Sequence, residues 1–443
     1  MRASLRLPLV SAFTILCISP LLCADDWPQW MGPNRDGVYA ETGLVDNIPK
    51  SGLKELWRVP VGKGYSGPAV ANGRVYVTDY IVESGEIKNN PSARYELTGQ
   101  ERVLCLNAKS GEQIWKHEYP RAYDLSYPSG PRATPTVDGD KVYVLGAEGD
   151  LLCLNADSGD VVWQMQLKEV YDTESPLWGF SSHLLVDGDL LYTLAGGEGS
   201  AVVALNKNTG KEVWRAMTTS DVGYCPPIIY NIGGRDQLII WHSESVNGLN
   251  PKTGEVIWTY PLKPKYGMSI AAPQLRDNHL FVCGIGETSA MLRMGKDGKP
   301  IDSAWRGKPK VGVYSGNATA LFEEDAIYGS DCGSGMFIAV NPKTGERYWQ
   351  DFALTTSGTR RAGHGTAFLV RNGKYHWLFA ETGDLILAKL SPEKFEERGR
   401  MRILEPTNEC FGREVVWSHP AFAQKCVFAR NDKELVCISL AAE

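Results

Sequence analysis

Apolar and polar residues alternate along most of this chain in short runs broken by Asn, Asp, Ser, Thr and Gly, and one such phrase keeps returning. VLCLNAKSGEQIW ends at Trp115, LLCLNADSGDVVW at Trp163 and VVALNKNTGKEVW at Trp214. VNGLNPKTGEVIW ends at Trp258, a looser copy at Trp305 and FIAVNPKTGERYW at Trp349, so the indoles recur every 44 to 51 residues. Each phrase reads as an apolar strand, a tight turn with Ser/Thr-Gly, and a second strand closed by Trp. The glycine supplies the positive φ that such a turn demands. Ahead of each phrase lies another strand pair, as in SGPAVANGRVYVTDY from Ser66 and ATPTVDGDKVYVLGA from Ala133. Four strands repeating at this period predict the blades of a β-propeller, with the indoles packed between neighbouring blades.

Inner strands beginning near Ser66, Ala133, Ser181, Cys225, Ala271, Gly316, Gly365 and Ser418 give eight units. The seventh lacks its Trp, and the eighth ends one strand short at Leu440. An orphan strand, LWRVPVG from Leu56 with Trp57 at the docking position, offers the missing one. The expected fold is therefore all-β, an eight-bladed propeller of four-stranded antiparallel blades over 56–443. An N-terminal strand pairs with residues 435–440 to close the ring and leave no long free edge. Residues 25–55, with Trp27, Trp30 and Gly32-Pro33-Asn34, precede the ring as a clasp.

The opening of the chain changes the picture of where this ring works. Arg2 and Arg6 stand before an apolar run from Leu7 to Leu22, and Ala24 suits a signal peptidase, so 1–24 reads as a cleaved leader and not a membrane anchor. The mature protein is then exported, to the periplasm or beyond. Losing two arginines takes the formal charge from −6 to −8, which disfavours nucleic acid and anionic lipid as partners. Eight cysteines remain, none adjacent and none spaced as Cys-x-x-Cys. Cys105, Cys153 and Cys437 recur at one place in the strand repeat, as small core residues do, while a disulfide between some pair stays open.

The phrase Ala-x-Ser-Gly-x-x-x-Trp, from Ala108 to Trp115 and from Ala156 to Trp163, resembles the tryptophan-docking motif of the PQQ-like propeller repeat family. That family includes the quinoprotein alcohol dehydrogenases and BamB-like exported propellers. The resemblance covers nearly the whole mature chain and implies the fold more firmly than an activity. For a dehydrogenase member it implies PQQ held with Ca²⁺ beneath a disulfide of adjacent cysteines; of such a site only Asn317 and Trp417 have counterparts here.

Chemistry is expected on the face with the variable loops 81–101, 166–180, 350–364 and 391–416, opposite tight turns such as Asn72-Gly73, Asp138-Gly139 and Asp187-Gly188. Aligning the inner strands puts Tyr65, Arg132, Phe180, Tyr224, Ile270, Ser315, His364 and Trp417 at one ring position, and Thr134, Ser182, Asn317, Thr366 and His419 at another. Arg132 and His364 are expected in a shared funnel, with Tyr65, Tyr224, Ser315, Trp417, Asn317 and His419 as further ligand contacts. A solvated mouth also accepts such residues merely to hold loops, and His183 reads as a structural histidine. Neither ring holds an Asp or Glu for a hard cation. No His-x-His or His-Glu-x-x-His spacing marks a metal site. Gly196-Gly197-Glu198-Gly199 has no helix after it and reads as a strand connection. The expectation is a non-catalytic binding or scaffold protein for a protein partner or small ligand, with no catalytic residue, metal or cofactor. A PQQ-dependent oxidoreductase is the alternative. A carbohydrate binder or hydrolase is a third reading, resting on Trp178, Trp377 and Tyr127 as stacking platforms.

Overall fold

The computed structural model describes residues 26–442, so the expected leader 1–24 lies outside the described residues. Among these, eight four-stranded antiparallel sheets stand in a ring. Blade 1 comprises Ala69–Ala71, Arg74–Ser84, Tyr95–Asn107 and Gln113–Pro120, with Tyr123–Leu125 added beside its third strand. Blades 2 to 7 follow in chain order, with inner strands at Thr136–Asp138, Leu185–Asp187, Ile228–Ile232, Gln274–Arg276, Leu321–Phe322 and Ala367–Asn372. Blade 8 takes Ala421–Ala423, Cys426–Arg430 and Glu434–Ser439 from the C-terminus and Glu55–Pro60 from the N-terminus. Trp57 pairs with Cys437 and Val59 with Leu435 in that closing ladder. The expected closure is the one observed. Of the long loops, 391–416 is shorter than the sequence implies, because Phe395–Arg402 forms the fourth strand of blade 7.

The repeated phrase works between blades. Each docking indole lies over the turn of the following blade: Trp115 Nε1 donates to the Ala156 carbonyl, Trp163 to Lys207, Trp214 to Pro251, Trp305 to Pro342 and Trp57 to Ala108, all at 2.8 to 2.9 Å. The motif glycine is needed twice over at this place. Gly159 has φ 78°, and any Cβ there would stand 2.6 Å from the Trp115 ring. Strand pairing and indole burial therefore depend on the same four-residue turn. A buried indole removed from such a site costs about 3 to 5 kcal/mol.

Two junctions depart from this scheme. Trp258 donates to Gln237 Oε1 of its own blade at 2.6 Å, and Gln237 Nε2 passes the contact on to the Gly298 carbonyl of blade 5 at 2.9 Å. Blade 7 has Gly399 where the others carry Trp, opposite Leu387 as Trp115 is opposite Cys105. Its neighbour is blade 8, whose corresponding turn is interrupted by the chain ends. The gap is filled by residues 43–54. Ile48 lies against Gly399 and donates its N–H to the Arg398 carbonyl at 2.9 Å, while Val45 N–H reaches Leu440 O and Ser439 N–H reaches Lys54 O. Ile48 is buried in the largest apolar cluster, beside Leu387 and Ile403.

The residues ahead of this filler do more than clasp. Trp27 bridges Val70 of blade 1, Pro28 O accepts from Val137 N–H of blade 2, and Met31 packs on Leu321 and Leu369 of blades 6 and 7. Arg35 is buried and donates to the His183 and Leu184 carbonyls before blade 3. Burial lowers its pKa to about 9. The segment thus crosses the axis and closes the central channel as a plug. All eight described cysteines are buried thiols, and no helix is long and apolar enough to cross a membrane among the described residues.

Candidate functional site

Because the plug closes one end, the channel becomes a blind cup of about 830 Å³ opening on the long-loop face. Its floor is Trp30, whose ring stacks on His183 at 4.9 Å and 10° and whose Nε1 donates to His419 Nε2 at 3.4 Å. His183 Nδ1 accepts the Thr134 N–H at 2.9 Å, so this histidine is structural as expected and also part of the floor. Burial pushes its pKa well down. His419 sits among Trp30, His183 and Phe368, and desolvation lowers its pKa to about 3.

The ring alignment finds much of the wall. Tyr65, Arg132, Tyr224, Ile270, Asn317, His364, Trp417 and His419 all line the cup. Ser315 does not: it is buried behind the wall against Cys283. Phe180, Thr134, Ser182 and Thr366 are buried outside the lining as well. Phe180 packs in the apolar cluster between blades 2 and 3, Ser182 Oγ donates to the Cys225 carbonyl at 3.1 Å, and Thr366 Oγ1 donates to the His364 carbonyl at 2.7 Å.

Arg132 and His364 share the cup, but neither presents a free charge. Arg132 donates to the carbonyls of Gly130, Ser126 and Tyr127 and lies 5.3 Å over the Tyr65 ring. His364 stacks on Phe411 at 4.9 Å and 7°, with Nδ1 3.4 Å from Asn317 Oδ1. Burial, helped by nearby Arg413, holds its pKa down at about 4. Trp417 donates Nε1 to Glu381 Oε2 at 3.1 Å. Glu381 in turn receives Arg413 through both oxygens and the Thr366 N–H, so this carboxylate is fully engaged behind the wall.

Other lining residues lie outside the aligned positions: Trp30, Asp221, Tyr266 and Phe411. Tyr127 and Trp178, taken from sequence as sugar platforms, do stand in the wall. Trp377 does not; it is fully buried in the core beside Phe422, at the head of the apolar run WLFA. Hard-cation ligands do not converge. Asp221 is the one carboxylate in the lining, Asn317 bonds to Thr366, and no three His, Cys, Asp or Glu gather among the described residues. Ca²⁺ takes six to eight oxygens, so these residues do not fit a calcium-held quinone.

Residues 99–351, more than half of the chain, match the family model for outer membrane protein assembly factor BamB. The chain belongs to this family. Among solved structures, BamB from Moraxella catarrhalis superposes with a TM-score of 0.56 at 16% identity, covering 88% of this chain and 98% of that one. Quinohemoprotein alcohol dehydrogenase from Comamonas testosteroni gives 0.59 at 13% identity, covering 94% and 81%. A computationally designed protein, Ika8, gives 0.53 at 9% identity. At such identities the likeness is one of fold. No curated protein matches the sequence. The BamB-family ring and the quinoprotein ring thus share a scaffold, and the cup's own residues must carry any functional argument.

Proposed function

We propose that the chain is an exported, non-catalytic binding propeller of the BamB-like kind, whose aromatic cup receives a small ligand or a side chain of a protein partner. The observation that supports this reading is the composition of the cup. Flat apolar side chains dominate it, its histidines are held neutral by burial, and Arg132 is turned to backbone carbonyls. Concave, mostly apolar sites with few polar groups suit binding. Acid–base or nucleophilic catalysis needs a titratable group poised near the working pH. Neutral histidines and a carbonyl-bound arginine do not supply one.

The second reading, a PQQ-dependent oxidoreductase, has the shared scaffold in its favour and Asn317 and Trp417 in the cup. Against it stands the donor set, with one lining carboxylate and no two cysteines adjacent in the sequence. The test is reconstitution of the full chain with PQQ and Ca²⁺ followed by gel filtration. The expected result is no protein-bound quinone absorbance; a stoichiometric quinone band would overturn the non-catalytic reading.

A further inference from the structure

Among the described residues that line the cup, Arg132 and Asp221 are the two that carry formal charge at neutral pH. Their surroundings are opposite. Arg132 is embraced by three carbonyls and a tyrosine ring, as described above, so its charge is already compensated. Asp221 is half-buried in the loop before blade 4, where one oxygen, Oδ1, accepts the Gly223 N–H at 2.8 Å. Among the described residues no ion pair engages it; desolvation raises its pKa, and that backbone hydrogen bond opposes the shift. A carboxylate held in a partly dry site without a counter-charge is costly to keep unless something supplies one.

The side chains around Asp221 have the faces that attract cations. Trp178 and Tyr224 meet edge to face at 5.6 Å. A Cβ on Gly267 would lie 3.4 Å from Asp221 Oδ2, which puts the 266–268 turn against the carboxylate. Tyr266 of that turn is exposed at the mouth and already carries the Lys265 ammonium 4.8 Å above its ring. The loop is fixed in place, since the Asp221 carbonyl accepts from Thr219 Oγ1 at 3.1 Å and from the Ser243 N–H at 3.3 Å. Nor do the three histidines add positive charge, because burial keeps them neutral.

We propose that the cup binds an organic cation, an ammonium group on an apolar or aromatic body, with Asp221 as its counter-charge and Trp178, Tyr224 and Tyr266 as its π walls. This rests on the reading of the cup as a ligand site. The positive group lies against ring faces and the carboxylate together, where partial burial strengthens both attractions. The aromatic body of the guest extends over Trp417 and Phe411 across the opening.

The test is calorimetric titration of the full chain with benzyltrimethylammonium, benzyl alcohol and benzenesulfonate, which share an aromatic body and differ in charge. The cation is expected to bind about tenfold more tightly than either other probe, the scale of a desolvated charge contact. Asp221→Asn is expected to remove that advantage while benzyl alcohol still binds, with an unfolding temperature no lower than the parent's, since the uncompensated charge is gone. Equal or tighter binding of benzenesulfonate, an Asp221→Asn protein that holds the cation as well as the parent, or no binding of any probe would each overturn the proposal. Benzenesulfonate or benzyl alcohol bound in the parent at least as tightly as the cation, and lost in Trp178→Ala, would overturn the cation assignment while leaving the cup a ligand site.

Discussion

The junctions between blades 1 and 2 and between blades 7 and 8 solve one packing problem in two ways. At the first, Trp115 lies over Gly159 and bonds to the Ala156 carbonyl, all within a covalently continuous repeat. At the second no such turn exists, because strand Glu434–Ser439 and strand Glu55–Pro60 come from opposite ends of the chain. There the indole gives way to Gly399, and Ile48 enters from the N-terminal segment. The missing Trp of the seventh repeat is thus a consequence of where the ring is cut. An indole there would have no turn to dock on and would displace the filler.

The largest loss of stability is expected from removing the filler and the closing strand together. A chain lacking 26–62 is expected to lose its cooperative thermal transition, since blade 8 then exposes an unpaired edge along Glu434–Ser439. A truncated protein that melts like the parent would show that the seam needs no N-terminal contribution.

Next in size come the single packing residues. Trp115→Ala is expected to cost about 3 to 5 kcal/mol in denaturant titration, and Ile48→Ala about 2 kcal/mol, because the smaller side chain buries less area. Gly399→Trp, which restores the repeat's own residue, is expected to destabilise as well. Any Cβ at Gly399 meets the Ile48 carbonyl at 2.6 Å on a backbone with φ 126°. A stabilised Gly399→Trp protein would refute the account of the seam.

The relay at Trp258 sharpens the comparison further. Gln237→Ala is expected to cost about 1 to 3 kcal/mol, the scale of leaving the buried Trp258 N–H without its acceptor. No change in unfolding midpoint would mean that Trp258 finds another acceptor in blade 5.

These junctions also show what sequence patterns carry. The blades, their count, the closing strand and the inner-strand alignment were legible because each rests on a period that the backbone enforces. Tyr65, Arg132, Tyr224, Asn317, His364, Trp417 and His419 reached the cup for that reason. Ser315 missed it by the direction of its side chain. Asp221 lies in an irregular loop, Tyr266 in the 3-10 turn Lys265–Gly267 and Phe411 in the turn of the hairpin Asn408–Cys410 with Arg413–Val415, the last two at positive φ, and none of these places repeats along the chain. The plug was read as a clasp, since nothing periodic in WPQWMGPNRDG reveals that it crosses the axis; its two tryptophans were the available signal.

The smallest expected effect asks whether the plug is coupled to stability as the filler is. His419 is depressed to about 3 in the folded chain, below the ordinary histidine value. The unfolded chain therefore binds the extra proton first, and stability from this group is complete above about pH 6.5 and falls as the pH drops towards 3. His419→Gln is expected to flatten that loss by on the order of 1 kcal/mol between pH 6.5 and 4, measured as the difference in unfolding free energy. Parallel profiles for parent and variant would place the pH response elsewhere.

The pairing of Glu55–Pro60 with Glu434–Ser439 also sets a clock. The first strand of the closing ladder leaves the ribosome before nearly all the rest, and its partner is among the last segments made. At about 5 to 20 residues per second, that wait lasts roughly 20 to 75 seconds. Throughout it, the filler at Ile48 has no seam to fill and Trp30 no complete floor to join. Seven blades' worth of apolar surface must be kept from wrong partners before the ring exists. Whatever attends this chain during synthesis must therefore hold an open arc, and its release is timed by the final strand.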